Sequence, residues 1–109
     1  MSENRLDSSC IGNLVKVKIG DVVSLSLEAN ATTGYSWTDP LLTPKDSDVM
    51  IVKYSVYQRQ ASDACGVGGH QKVLLEAKKA GEVQVNLNYQ RPWEKKDPAK
   101  VFYVRFLVV

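Results

Sequence analysis

The chain has 109 residues, of which 44% are apolar and 24% charged; this composition fits one soluble globular domain and argues against disorder. Its 14 basic and 12 acidic side chains leave a net charge of +2, and no basic run exceeds two residues, so the charge pattern excludes an ordinary nucleic-acid binder. No stretch approaches the roughly 20 apolar residues of a membrane helix. We expect one domain over 1–109, in which 1–10 form a flexible N-terminal segment.

The N-terminal residues also bear on localisation. Residues 1–10 are polar and have no apolar core of signal-peptide length. The sequence as written therefore predicts a cytoplasmic protein, with a lysosomal or secreted one expected if a leader has been removed.

The dominant sequence period is two, which predicts strands. In chain order, the apolar–polar alternation or a β-branched and aromatic composition marks 14–19, 23–28, 49–56, 83–90 and 101–109. The segment 71–79 would tolerate a helix, but its Val-Leu-Leu run favours a strand. With a short strand at Trp37, these segments predict an all-β, immunoglobulin-like antiparallel β-sandwich of about seven strands. Trp37 is a candidate core residue, although the disulfide of antibody domains is absent.

The connections between the predicted strands fall into two sets. Antiparallel strands reverse direction at each connection, so alternate connections lie at the same end of a sandwich. One set contains a first loop (about 30–35), a second loop (58–69) and a third loop (91–98). The other contains the turns at 20–21, 39–48 and 79–82. We expect the three loops to share one end.

These three loops hold the unusual residues of the chain. The first has small polar residues and Gly34, which suit a tight turn with positive φ. The second is rich in glycine, which leaves its backbone open to close approach by a partner. The third combines arginine and tryptophan, residue types enriched at interface hot spots, with a stiffening proline. Together they indicate a binding surface on a rigid scaffold.

Taken singly, each loop has a simpler interpretation. The first could be an ordinary turn, and the second a plain hairpin connection. The glycine run does not fit a nucleotide-binding loop, since it lacks the full glycine spacing and no helix is expected after it. The third could place a core tryptophan beneath a stacked cation. Residues such as Tyr35 and Trp37 are more often part of a core than of a contact surface.

Jointly the motifs resemble the chagasin family of cysteine-peptidase inhibitors. They are Asn-x-Thr-Thr-Gly-Tyr-x-Trp at 30–37, Gly-x-Gly-Gly at 66–69 and Arg-Pro-Trp at 91–93, in this order and spacing. The resemblance implies an immunoglobulin-like fold and tight, reversible, competitive inhibition of papain-like peptidases such as papain and cathepsin L-like enzymes. We expect the protein to be monomeric when free. Ala31 departs from the proline usual in relatives.

The resemblance assigns a role to each loop. Thr32 and Thr33 should lie nearest the catalytic cysteine and histidine of the peptidase, the glycine loop along its non-primed side, and Trp93 on its primed side. Cys65 occupies the position that faces the main specificity pocket. The implied peptidase-binding residues are Asn30, Ala31, Thr32, Thr33, Gly34, Tyr35, Cys65, Gly66, Val67, Gly68, Gly69, Arg91, Pro92 and Trp93.

Other functions are less well supported by the residues. An enzyme is disfavoured because the single histidine, His70, has no adjacent carboxylate, and no metal-ligand cluster or cofactor motif is present. The two cysteines, Cys10 and Cys65, could pair, but free thiols are the default in a reducing compartment. An adhesion or carbohydrate-binding module using Trp93 and Tyr57 is the alternative from another class. It would have no effect on peptidases.

Overall fold

The structure, a computed structural model, describes residues 3–30, 33–44, 47–59 and 69–109. Within these ranges a 3-10 turn at Ser8–Cys10 accompanies nine strands. The strands are β1 Glu3–Asp7, β2 Leu14–Val17, β3 Val22–Ala29, β4 Ser36–Trp37, β5 Leu41–Thr43, β6 Met50–Arg59, β7 Gly69–Ala77, β8 Gly81–Gln90 and β9 Lys100–Val108. The all-β prediction is confirmed, and the ambiguous segment 71–79 is a strand up to Ala77.

The strands form the two sheets of a β-sandwich. One sheet has the order β1-β3-β7-β6, and the other has β2-β9-β8-β4 with β5 also paired to β8. The central pairings β3–β7, β6–β7 and β8–β9 are antiparallel, as predicted. Two outer pairings, β1–β3 and β2–β9, are parallel instead. The N-terminal part of the chain thus contributes one strand to each sheet.

The core follows from the period-two alternation, because successive side chains of a strand point to opposite faces. Every second residue of β3, β7, β8 and β9 is buried. The largest include Leu25, Leu75, Leu87, Phe102 and Phe106, and burying each contributes about 1.5–3 kcal/mol. No helix in the described part of the chain has the length and hydropathy needed to cross a membrane.

Two edge elements differ from the sequence prediction. Instead of a flexible segment over 1–10, residues 3–7 form β1, because Leu6 packs on the core and the backbone pairs with β3. Cys10 follows as a buried free thiol, whose pKa is raised by burial and by the nearby Asp7 carboxylate. The predicted connection at 39–48 contains β5, which pairs with β8.

The ends of the strands bring the three loops together. In one sheet Gly69 pairs with both Ala29 and Arg59. The start of the first loop, after Ala29, therefore lies beside both ends of the second loop. In the other sheet Ser36 pairs with Gln90, next to the boundaries of the third loop. At the opposite end, the Gly20 N–H donates to the Ala77 carbonyl (2.9 Å) and the Lys78 N–H to that of Val49 (2.8 Å). The predicted grouping of connections is confirmed.

Candidate functional site

The first loop closes as a tight turn on the end of β3. The Thr33 N–H and hydroxyl both donate to the Asn30 carbonyl, at 3.2 and 2.7 Å. The Asn30 N–H in turn donates to the Tyr89 hydroxyl at 3.1 Å, which ties the loop of one sheet to a strand of the other. Gly34 has a φ of +83°, a backbone conformation that residues with a Cβ rarely adopt.

Arg91 joins the third loop to the first. Its Nε donates to the Thr33 carbonyl at 3.2 Å, and its Nη1 donates to Glu94 Oε1 at 2.9 Å. The guanidinium carbon lies 4.5 Å from the centre of the Tyr35 ring, a cation–π distance. The hydrogen bond that Arg91 donates to the Glu94 carboxylate raises the pKa of Arg91 above its ordinary value. One side chain therefore fixes both loops in a single arrangement.

Trp93 is presented outward beside Gly34. Its side chain is 69% exposed, the highest value among the large hydrophobic residues described. A Cβ added to Gly34 would lie 2.7 Å from Cη2 of the Trp93 ring, so only a glycine lets the indole pack this close. An exposed aromatic held by a rigid neighbour is typical of an interaction surface.

A stack of aromatic rings lies between these loops and the core. Tyr35 stacks on Tyr89 with 5.5 Å between ring centroids, and Trp37 lies 5.0 Å from the same ring in a tilted arrangement. The Trp37 Nε1 donates to the Glu28 carbonyl at 3.0 Å. Tyr35 and Trp37 are half-buried, which places them between the core and the surface. The Lys100 Nζ lies over the Tyr89 ring, 5.5 Å from the ring centroid.

The structure brings together only part of the residue set that the sequence predicts. Asn30, Thr33, Gly34, Tyr35, Arg91, Pro92 and Trp93 lie at the same end, and Gly69 is buried there at the start of β7. The predicted residues Ala31, Thr32, Cys65, Gly66, Val67 and Gly68 lie outside the described residues. Sequence reasoning missed the bracing residues Tyr89 and Glu94. Tyr89 could have been found as the last inward position of the strand that leads into Arg91.

The described part of the loop end presents backbone and aromatic groups to its surroundings. Within the described ranges no three His, Cys, Asp or Glu side chains come together as a metal site would require. Arg91 and Glu94, two opposite charges of the third loop, are paired with each other. What this end offers a partner is a fixed backbone turn and an exposed indole.

Comparison with known proteins agrees with this geometry. The family model described as chagasin family peptidase inhibitor I42 matches residues 16–106. The chain is 32% identical to chagasin of Trypanosoma cruzi over 83 residues, which is 75% of this chain and 76% of that protein. It is 27% identical to amoebiasin-2 of Entamoeba histolytica over 85 residues, covering 77% and 68% of the two chains.

Solved structures support the same fold. The crystal structure of the cysteine protease inhibitor EhICP2 from Entamoeba histolytica superposes with a TM-score of 0.86 at 20% identity, covering 99% of this chain and 96% of that one. PbICP-C, solved in complex with falcipain-2, gives a TM-score of 0.65 at 18% identity, covering 97% and 99%. The chain belongs to the chagasin family of peptidase inhibitors, as its loop motifs predict, and is not an enzyme.

Proposed function

We propose that this chain inhibits papain-like cysteine peptidases by placing its three loops in the active-site cleft. The observation that carries the proposal is the exposed Trp93 held against Gly34, with Arg91 fixing the first and third loops to each other. Family membership and the falcipain-2 complex of the structural relative PbICP-C support the same target class.

The rigidity of the loop end explains how binding can be tight. Protease–inhibitor interfaces bury roughly 1,600 Å² in total, and the affinity that remains depends on how little ordering the partners undergo. Here the turn at Thr33 and the Arg91 bridge are already formed in the free protein. These parts of the first and third loops therefore lose little conformational entropy when they enter the cleft.

The mode of inhibition follows from what the loops present. A papain-like enzyme has a low-pKa thiolate and waiting hydrogen-bond donors in its groove. Backbone carbonyls and the hydroxyls of Thr32 and Thr33 occupy that groove without presenting a peptide in a cleavable orientation. The glycine loop lies along the non-primed side, and Trp93 packs on aromatic residues of the primed side. Inhibition by this route is reversible and competitive.

The test is a titration of papain and of a cathepsin L-like peptidase with the purified protein. The remaining peptidase activity is measured through the hydrolysis of a fluorogenic peptide. Wild type should abolish activity stoichiometrically and reversibly. Trp93→Ala should weaken binding by about 2 kcal/mol, or roughly 30-fold, because a tryptophan buried in an interface typically acts as a hot spot. Leu41→Ala is the matched control, because Leu41 is also exposed but lies on β5, outside the three loops.

The outcome discriminates between classes of function. Absence of inhibition by wild type at micromolar protein, with both enzymes, would refute the proposal and favour the adhesion or carbohydrate-binding alternative. Equal loss of affinity in the Trp93 and Leu41 variants would show that the loop end is not the contact surface.

A further inference from the structure

The net charge of the chain is concentrated in one short segment. Residues 91–100, the third loop and the first residue of β9, contain four basic and two acidic side chains. The remaining 99 residues contain ten basic and ten acidic side chains. This segment alone therefore places a net charge of +2 close to Trp93 in the chain.

Within this segment, Lys95 and Lys96 are the cations available to a partner. The charge of Arg91 is engaged by Glu94 at 2.9 Å, and Lys100 lies over the ring of Tyr89. Lys95 and Lys96 are exposed, and neither has an ion-pair partner among the described residues. They lie two and three residues after Trp93 in the third loop, so a protein that contacts the indole also approaches these two ammonium groups.

Lysines at the opposite end are arranged differently. Lys53 and Lys78 both pair with Glu76, at 3.2 and 3.1 Å, and Lys79 pairs with Asp48. These three lysines are therefore engaged within the protein.

Lys16 and Lys18 are also exposed, but Val17, between them, pairs with Val108 at the end of β9 away from the third loop. Their charge therefore lies away from Trp93, unlike that of Lys95 and Lys96.

We propose that Lys95 and Lys96 select and steer the target, favouring papain-like peptidases that carry acidic side chains on the cleft rim facing the third loop. This inference rests on the proposed function. Opposite potentials across an interface raise the association rate and discriminate between partners more than they raise affinity. Exposed lysines can steer a partner because their electrostatic attraction acts over a long range. Salt screens this attraction, so the effect weakens as the ionic strength rises.

The experiment measures association and dissociation rates for papain-like peptidases chosen for acidic or basic side chains along the rim of the primed side. Ionic strength is varied from about 0.01 M to about 0.15 M, which shortens the Debye length from about 30 Å to about 8 Å. Wild type should associate faster with the acidic-rim enzymes at low salt. K95E/K96E should reduce that rate about tenfold and raise the rate with basic-rim enzymes. Dissociation rates should change less.

Two further variants control the interpretation. K16E/K18E makes the same charge change in exposed lysines at the other end and should leave the ranking of the enzymes unaltered. K95R/K96R keeps the charge and should behave as wild type. A ranking that K95E/K96E does not change, or changes no more than K16E/K18E, would overturn the inference. Failure of the proposed function itself is a different result, in which wild type inhibits none of the enzymes.

Discussion

Gly34 is the residue on which the position of Trp93 depends. Its φ of +83° penalises any side chain, and its missing Cβ makes room for the indole. Gly34→Ala should lose about 1–2 kcal/mol of folding stability through the backbone and, in addition, displace Trp93. We expect inhibition of papain to weaken about tenfold, since the loss of part of a hot-spot contact costs on the order of 1.4 kcal/mol.

A matched glycine separates these two effects. Gly20 has a φ of +92° with nothing within 4 Å of an added Cβ. Gly20→Ala should therefore show a similar loss of stability in urea denaturation, with an unchanged inhibition constant. If both variants inhibit equally well, the contact between Gly34 and Trp93 is not needed for binding.

Tyr89 supports the first loop from the opposite sheet through its hydroxyl. Tyr89→Phe removes the acceptor for the Asn30 N–H and leaves the ring stack with Tyr35 in place. We expect a loss of about 1 kcal/mol in the free energy of unfolding and weaker inhibition. Tyr103→Phe, on the exposed outer face of β9, is the control and should change neither quantity. Unaltered stability in the Tyr89 variant would show that the Tyr89 bond does not brace the loop.

At the scale of elements, the sequence predicts those strands whose two faces differ. Alternate residues are buried in β3, β7, β8 and β9. Their sequences therefore show the apolar–polar period of two that predicts a strand. β1 and β5 are missed because short edge strands are held by the neighbour they pair with, and their own pattern is too brief to be diagnostic. The parallel pairings of β1 with β3 and of β2 with β9 likewise depend on tertiary placement.

The correction at the N-terminus can be tested through β1. Leu6 packs against the core, whereas Arg5 points outward and makes only an exposed pair with Glu3 at 3.6 Å. Leu6→Ala should lower the free energy of unfolding by about 1–2 kcal/mol, less than a fully buried leucine, and Arg5→Ala by less than about 0.5 kcal/mol. Equal and negligible effects in urea denaturation would instead favour the flexible segment that the sequence suggests.

At the scale of the whole molecule, the clustering of the loops is predictable because chain reversal depends only on the order of antiparallel strands. The sequence alone therefore predicts that Gly34 and Trp93 lie at the same end of the sandwich. It does not predict that Arg91 contacts Thr33, Tyr35 and Glu94 together, since that depends on how two loops from different strands pack. Arg91 is recognisable from its motif, whereas Glu94 and Tyr89, which help to hold the loops in position, are not.

The pH dependence of stability also belongs to the whole molecule, and Glu76 is its clearest source. The pKa of Glu76 is held below its ordinary value of 4.5 by the hydrogen bonds from Lys78 and Lys53. A carboxylate with a depressed folded pKa stabilises the protein above its unfolded pKa, and this contribution is lost as the pH falls through the folded pKa. Glu76→Gln should thus be less stable than wild type at pH 7.

The difference between Glu76→Gln and wild type should vanish in strong acid, where both side chains are neutral. Urea denaturation at a series of pH values from about 7 down to about 2, below the ordinary range of a carboxyl pKa, measures this convergence. Glu82→Gln is the control. The Glu82 carboxylate lies 3.5 Å from Arg105 Nη1, and its side chain is 52% exposed, against 17% for that of Glu76. The ion pair of Glu82 is therefore the weaker of the two. A Glu76→Gln protein whose deficit persists unchanged in acid would show that packing, and not the two lysines, accounts for the role of Glu76.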